Sequence, residues 1–307
     1  MAMEEFVARH TDGRDCFFMW QVEPSVIFGR NQLMENEVNL DYCRRHGIQV
    51  YRRKSGGGCV YADMSNVMFS YITSDEAVGF TFNRYINMVV HMLRKLGAEA
   101  CASGRNDVLI DRRKVSGSAF YRIPGRSIVH GTMLYDTDMA NMTGAITPSD
   151  TKLTARGIKS VRQRVALLKD YTDVTLADFM AFARAELCDE TVALGPGDVA
   201  RIAEMEKEYL STDFIMGKNP KYTLSRRKRI EGVGEVEARV ELKNGVIRSV
   251  TLSGDFFSCG AGDSGVLRRL CGVPLEREAV ASVLPARLDD IARNLSGAAL
   301  AELLTEK

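Results

Sequence analysis

The chain has 307 residues, 41 lysines and arginines against 40 aspartates and glutamates, a formal net charge of +1, and 45% apolar residues. That length suits two domains with sizeable cores, and the balanced charge argues against a general nucleic-acid binder, which would carry a basic excess. No apolar run approaches the ~20 residues needed to span a bilayer, and no signal pattern opens the chain, so a soluble, cytoplasmic protein with no membrane or nucleic-acid partner is expected. Seven scattered cysteines, never in a C-x-x-C pair, fit reduced thiols rather than a disulfide framework.

In chain order, short β-rich runs are expected at Ile48 to Arg52, Cys59 to Tyr61 and Val67 to Ile72. Between Thr81 and Gly97, Phe82, Tyr85, Ile86, Val89, Val90, Leu93 and Leu96 recur at three- and four-residue spacing, which predicts an amphipathic helix lying on a sheet. Further strands are expected at Val108 to Ile110, Lys114 to Tyr121 and Ser127 to Tyr135, giving an α+β layered architecture. A charged helix from Asp198 to Leu210 leads to Gly217-Lys-Asn-Pro220, read as a linker. Beyond it, Glu235 to Leu242 and Val246 to Leu252 flank Asn244-Gly245 as a hairpin, and a helical tail is expected from Pro285 to Leu304.

Two segments carry candidate chemistry. Arg52-Arg53-Lys54-Ser55-Gly56-Gly57-Gly58 joins cations to a run of glycines whose N–H groups can converge on an anion. It is neither a P-loop nor a dinucleotide fingerprint, and its plainer reading is a tight turn between strands. If the ligand approaches Gly57, then Gly57→Val is expected to abolish binding with little loss of folding. The second segment, Asp111-Arg-Arg-Lys114-Val-Ser116-Gly117-Ser118, sets a lysine beside small residues. Asn106 and Asp107 pair an amide with a carboxylate, and they read either as an Mg2+-holding carboxylate beside phosphates or as an Asx turn opening a strand. His130, before Gly131-Thr132, either lines a pocket or is a hydrogen-bonded core histidine. With four histidines and no H-E-x-x-H, zinc is improbable. The run Arg226-Arg-Lys-Arg229 reads as a solvated face that helps dock an acidic partner. Gly260 to Gly265 reads as a surface turn.

These segments, with Glu23-Pro24-Ser25 to Gln32, Cys59 to Ser70, Ser103-Gly-Arg105, Ala155 to Arg162, Gly217 to Tyr222 and Gly254-Asp255-Phe256-Phe257, resemble lipoate–protein ligase A along nearly the whole chain. The resemblance implies a class II aminoacyl-tRNA synthetase/biotin ligase-like catalytic domain over residues 1–212 and a small α+β accessory domain over 213–307. It implies that ATP activates lipoate to lipoyl-AMP, with Mg2+ expected as a cofactor and Asp107 as the candidate carboxylate for it. The lipoyl group then passes to a lysine of apo carrier domains, such as 2-oxoacid dehydrogenase E2 subunits and the glycine cleavage H protein. Lys114 matches the family's catalytic lysine. Arg53, Ser55, Gly56, Gly57, Gly58, Cys59, Val60, Tyr61, Asn106, Asp107, Ser116, Gly117, Ser118, His130, Gly131 and Thr132 match ATP- and lipoate-binding positions.

The chain departs from the family pattern at Ala62, where a histidine is usual, and at Ser65, where glycine is common. The helix-like Ala2-Met3-Glu4-Glu5 follows no preceding strand. Rival readings are an ATP-independent lipoyl or octanoyl transferase using Cys101, and a non-catalytic lipoate-binding protein.

Overall fold

The computed structural model describes residues 1–11, 13–74, 77–103, 106–146, 164–216, 223–258 and 265–306. The expected linker Gly217 to Tyr222, the Ala155 to Arg162 motif, Arg105 and the turn Gly260 to Ser264 lie outside these residues. The described chain forms two compact units. The first comprises Met1–Phe28, Glu35–Arg53 and Cys59–Ile215, and the second Gly29–Met34, Lys54–Gly58 and Met216–Lys307.

The first unit is built on a six-stranded sheet in the order β1-β5-β9-β8-β7-β6, with every pair antiparallel. Its strands are β1 (Cys16–Trp20), β5 (Val67–Ser74), β6 (Cys101–Ala102), β7 (Asp107–Ile110), β8 (Arg113–Ile123) and β9 (Arg126–Met133). A smaller sheet sets β2 (Ser25–Phe28) between β3 (Gln49–Arg52) and β4 (Val60–Ala62). The expected amphipathic helix spans Val78–Lys95 and buries Phe82, Tyr85, Ile86, Val89, Val90 and Leu93 against Val67, Phe69, Val129 and Met133. Burial of such side chains contributes roughly 1.5–3 kcal/mol each. The helix Ala2–His10 packs on β5 and β9.

The second unit carries β10 (Leu224–Ile230), β11 (Gly234–Lys243) and β12 (Val246–Gly254) in that order, all antiparallel. The expected hairpin is β11–β12, turning on Asn244 and Gly245 with φ of 55° and 76°, which suits a type I′ turn.

One expectation fails, and another is met in part. The tail is helical only over Gly297–Thr305, because Ser296 caps it there by accepting from Ala299 N. Upstream, Arg287 bridges to Ser296, and Asn294 takes a φ of 64° that a continuous helix forbids. The basic run forms a strand, with Arg227 exposed and Arg226, Lys228 and Arg229 half-exposed. Within β10, Arg227 pairs with Glu235, Lys228 with Glu302 and Glu306, and Arg226 Nε donates to the Glu306 carbonyl. Much of its charge is answered inside its own unit.

Gly254 stands at the end of β12 with φ of 143°, and a Cβ there would lie 2.0 Å from the Glu235 carbonyl oxygen. Backbone cannot yield as a flexible side chain does. Gly254→Ala is expected to cost about 1–3 kcal/mol, read as a lowered denaturation midpoint with an unchanged m-value.

Candidate functional site

The β7–β8 hairpin sets the position of Lys114. It turns on Asp111 and Arg112, with φ of 49° and 62°, a two-residue geometry that fixes register although neither residue is glycine. Pairing then runs Ile110↔Arg113 and Leu109↔Lys114, skips Val115, and resumes at Val108↔Ser116 and Asp107↔Gly117. The extra residue is a β-bulge, which re-aims neighbouring side chains. Val115 and Ser116 are fully buried. Lys114 turns back over the strand, its Nζ 2.8 Å from Asp107 Oδ1.

Gly117 makes this possible. A Cβ at Gly117 would lie 2.2 Å from Lys114 Nζ and 2.3 Å from its Cε, so the ammonium occupies the space that any side chain would fill. The Gly117 N–H donates to Thr132 Oγ1 at 3.2 Å, and the register carries the row Asp107, Gly117, Thr132 and Met68 across four strands on one face. A half-exposed cation, an acid, a hydroxyl and bare backbone meet here. Such a place can hold an anionic group and stabilise charge that grows on it.

Asn106 closes the strand end: Ser118 N donates to its carbonyl at 2.8 Å and its Nδ2 donates to Ser118 O at 2.8 Å. Ser103 Oγ accepts from Asp107 N at 3.2 Å. These bonds combine the strand-opening role with a carboxylate held in place. Among the described residues no cluster of three or more His, Cys, Asp or Glu side chains forms a metal cage. Asp107 alone still suits magnesium, which commonly takes one or two carboxylates and completes its shell with water and phosphate oxygens.

His130 lies two residues from Thr132, on the same face, and its partner went unread in the sequence. Glu4, from the first helix, is fully buried with its two oxygens 3.0 and 3.1 Å from His130 Nδ1. Ser70 donates to Glu4 at 2.5 Å, and Trp20 Nε1 donates to Ser70 at 2.9 Å. Burial alone would raise the Glu4 carboxyl, but the nearby His130 charge, the amino terminus and the two hydrogen bonds bring it down to about 2. The only hint in the sequence was a glutamate at helical spacing before a strand pair. Ser116 and Ser118 differ from this group: they pair with Met133 and Gly131 on the opposite face, where Gly131 passes close to Tyr85 Oη and Ser118 Oγ.

The glycine loop belongs to the second unit. Gly57, with φ of 86°, donates its N–H to the Phe256 carbonyl at 3.0 Å, and a Cβ on Gly56 would lie 2.4 Å from the same oxygen. A Cβ on Gly58 would meet nothing within 4 Å. Two of the three glycines therefore serve a turn and a close backbone approach, and the positive φ of Gly57 sets backbone strain against the expectation that Gly57→Val folds with little loss. Ser55 accepts from Arg30 N through its carbonyl at 2.8 Å.

In the first unit, Arg53 is buried and donates from Nη1 to the Ile27 carbonyl at 2.9 Å. Burial lowers its guanidinium to about 10, while Cys59, Glu37 and Glu4 favour the charged form. Cys59 and Val60 are half-buried. Tyr61 is buried, and its hydroxyl is raised by burial and by the charges of Asp63 and Asp138. Beside it, Asp63 Oδ1 accepts from Ser65 N, Ser65 Oγ and Asn66 Nδ2, so the residue that departs from glycine helps to staple the turn.

The Glu4 network fixes an acid response. The folded carboxyl titrates below its ordinary 4.5, so the unfolded chain binds more protons between those values and stability falls as pH drops through them. Glu4→Gln is expected to lower the melting temperature at neutral pH and to flatten its decline between about pH 5 and pH 3. An unaltered acid slope contradicts the assignment.

Residues 1–188 match the family described as the lipoyl protein ligase A/B catalytic domain, and residues 219–304 match the bacterial lipoate protein ligase C-terminus. A curated relative, lipoate-protein ligase LplJ of Bacillus subtilis, is 35% identical over 297 residues, spanning 92% of this chain and 89% of its own. Among solved structures, a bi-partite lipoate protein ligase of Thermoplasma acidophilum, described with its E2 lipoyl domain, superposes with a TM-score of 0.63 at 28% identity. It covers 73% of this chain and 92% of its own. Lipoate-protein ligase A bound with ATP shares the fold, with a TM-score of 0.61 at 24% identity over 70% of this chain and 92% of that one. With both family matches in chain order and a relative aligned almost end to end, the chain belongs to the lipoate–protein ligase family.

Proposed function

We propose that this chain is an ATP-dependent ligase that activates lipoate as lipoyl-AMP and transfers the lipoyl group to a lysine of apo carrier domains. The candidate carriers are E2 subunits of 2-oxoacid dehydrogenases and the glycine cleavage H protein. The observation that carries this reading is the Lys114 ammonium held against Asp107 over the bare Gly117 backbone. A carboxylate is a poor acyl donor, so amide formation requires activation. In the first step a lipoate oxygen bonds to the α-phosphorus as the bond to pyrophosphate breaks. In the second, the carrier amine bonds to the acyl carbon, AMP leaves with the bonding pair, and the amine loses a proton. Negative charge grows at the same place in both steps, and a fixed ammonium there serves both.

We assign catalysis to residues 1–212 and an accessory role to 213–307, with Asn106, Thr132, His130 and the Arg53 to Tyr61 segment contributing to ligand binding. Magnesium, held by Asp107, would neutralise phosphate charge. A cytoplasmic setting is consistent with Cys16, Cys43, Cys59, Cys101, Cys188 and Cys271 all being free thiols. Among the described residues no helix is long and apolar enough to cross a membrane.

Two variants test Lys114. Lys114→Ala is expected to keep the fold and to lose about a hundredfold or more in both pyrophosphate release and carrier acylation. Gly117→Ala displaces only the flexible end of Lys114, so its stability should stay within about 0.5 kcal/mol while both rates fall comparably. Normal rates in either variant defeat the proposal.

A second reading has one observation behind it. Cys101 is exposed and pairs with Leu109, the residue that faces Lys114, which sets a thiol two strands from the ammonium. Mass spectrometry of an apo carrier, with lipoate plus ATP or with an octanoyl thioester, separates the two chemistries. Cys101→Ser is expected to leave ATP-dependent acylation unchanged, since attack on an acyl-adenylate needs no enzyme thiol. An acyl adduct on Cys101 with ATP-independent transfer establishes the transferase instead.

A further inference from the structure

The second unit contains a cleft of about 280 Å³ along the free edge of β12, walled by Leu267, Arg268 and Cys271 and floored by Phe256 and Ile291. Asp255 N donates to the Glu235 carbonyl, so the 255↔235 pair is the hydrogen-bonded kind and alternate pairs along the strand are not. Val250, Leu252 and Gly254 therefore direct their N–H and C=O groups away from β11. The protein's own chain covers this edge at both ends. Gly254 N donates to Asn31 O at 2.6 Å, and at the other end Ile247 N donates to Val273 O at 2.9 Å while Gly272 N donates to Ile247 O at 2.8 Å. Between these caps, no described residue hydrogen-bonds the outward N–H and C=O of Val250 and Leu252.

An uncovered strand edge is a template for pairing, and proteins normally shorten, charge or cover it. Here the cover is interrupted where a cleft opens. Outward residues two apart lie about 7 Å from each other, the spacing at which one extended peptide bonds to both. Arg268 lines the cleft and is exposed, as are Arg248 and Arg269 close by in the chain. Against these three arginines stand the exposed Asp290, the half-buried Asp255 and Glu241, whose carboxylate accepts a hydrogen bond from Ser249.

We propose that the β12 edge is a docking site for an acidic, extended segment of a partner protein, which adds as a strand at Val250 and Leu252. Main-chain bonds would supply the affinity, and the arginines the preference for acidic sequences. This site is distinct from the Lys114 chemistry and does not depend on it.

The test uses the full chain and the synthetic peptide acetyl-Glu-Val-Glu-Val-Glu-amide as probe, read by backbone NMR and amide hydrogen exchange. In the free protein the Val250 and Leu252 amides should exchange rapidly, and peptide should slow both by about tenfold or more. Arg268→Glu should weaken binding roughly three- to tenfold, a peptide N-methylated at alternate residues should not bind, and a lysine-for-glutamate peptide should bind more weakly. Protection of both amides before any peptide is added means that the edge is already paired and overturns the proposal. So does unchanged binding of the N-methylated peptide, or an absence of shifts at saturating concentrations of the acidic one.

Discussion

The candidate site depends on one steric fact: the ammonium of Lys114 occupies the volume where residue 117 would carry a side chain. Everything that positions the lysine works toward that coincidence. The tight turn at Asp111 and Arg112 sets the register, the bulge at Val115 turns the following residues inward, and Asp107 across the hairpin receives the cation at 2.8 Å. A long flexible side chain loses up to ~2 kcal/mol of rotamer freedom when fixed. Here the ion pair and the vacant glycine face already hold it, so that ordering is met within the fold itself.

The same sheet carries two polar arrangements of different character. Lys114 and Asp107 keep contact with solvent, with side-chain exposures of 29% and 12%, whereas the Glu4–His130 pair is almost wholly enclosed, at 1% and 7%. A buried carboxylate is costly unless several donors meet it. His130 and Ser70 do so, and Trp20 extends the chain of bonds to β1. The partly exposed pair stays open to solvent. The enclosed pair holds a helix to the sheet.

Much of this was legible in the sequence. The Val78–Lys95 helix followed from periodicity, and β3, β4, β5, β7, β8, β9, β11 and β12 were expected near their observed places, whereas β1, β2, β6 and β10 were not. Strands such as β5 and β9, buried along nearly their whole length, show no alternation. Lys114 was singled out by the family resemblance, since Arg112 and Arg113 stand beside it, and the reason for Gly117 needed coordinates: no residue pattern announces that a side chain lies over the residue three positions along its own strand. Glu4 was hidden because its partner is far along the chain and the contact exists only after helix and sheet pack. The strand in the basic run and its acidic partners were missed for a related reason. Four consecutive charges look solvated until Glu235, Glu302 and Glu306 arrive from other elements.

The hydrogen bond from Gly57 to Phe256 joins a loop near the start of the chain to the unit that ends it. The loop's shape is thus written in two distant stretches of the gene, although its residues are contiguous. Were the gene divided after Ile215, the first product would carry Lys114, Asp107 and the whole six-stranded sheet, yet the carbonyl against which the loop is folded would be encoded in the other half. Synthesis runs from the amino terminus, so the same debt exists in time: the ribosome must add almost two hundred residues after Gly57 before its partner exists.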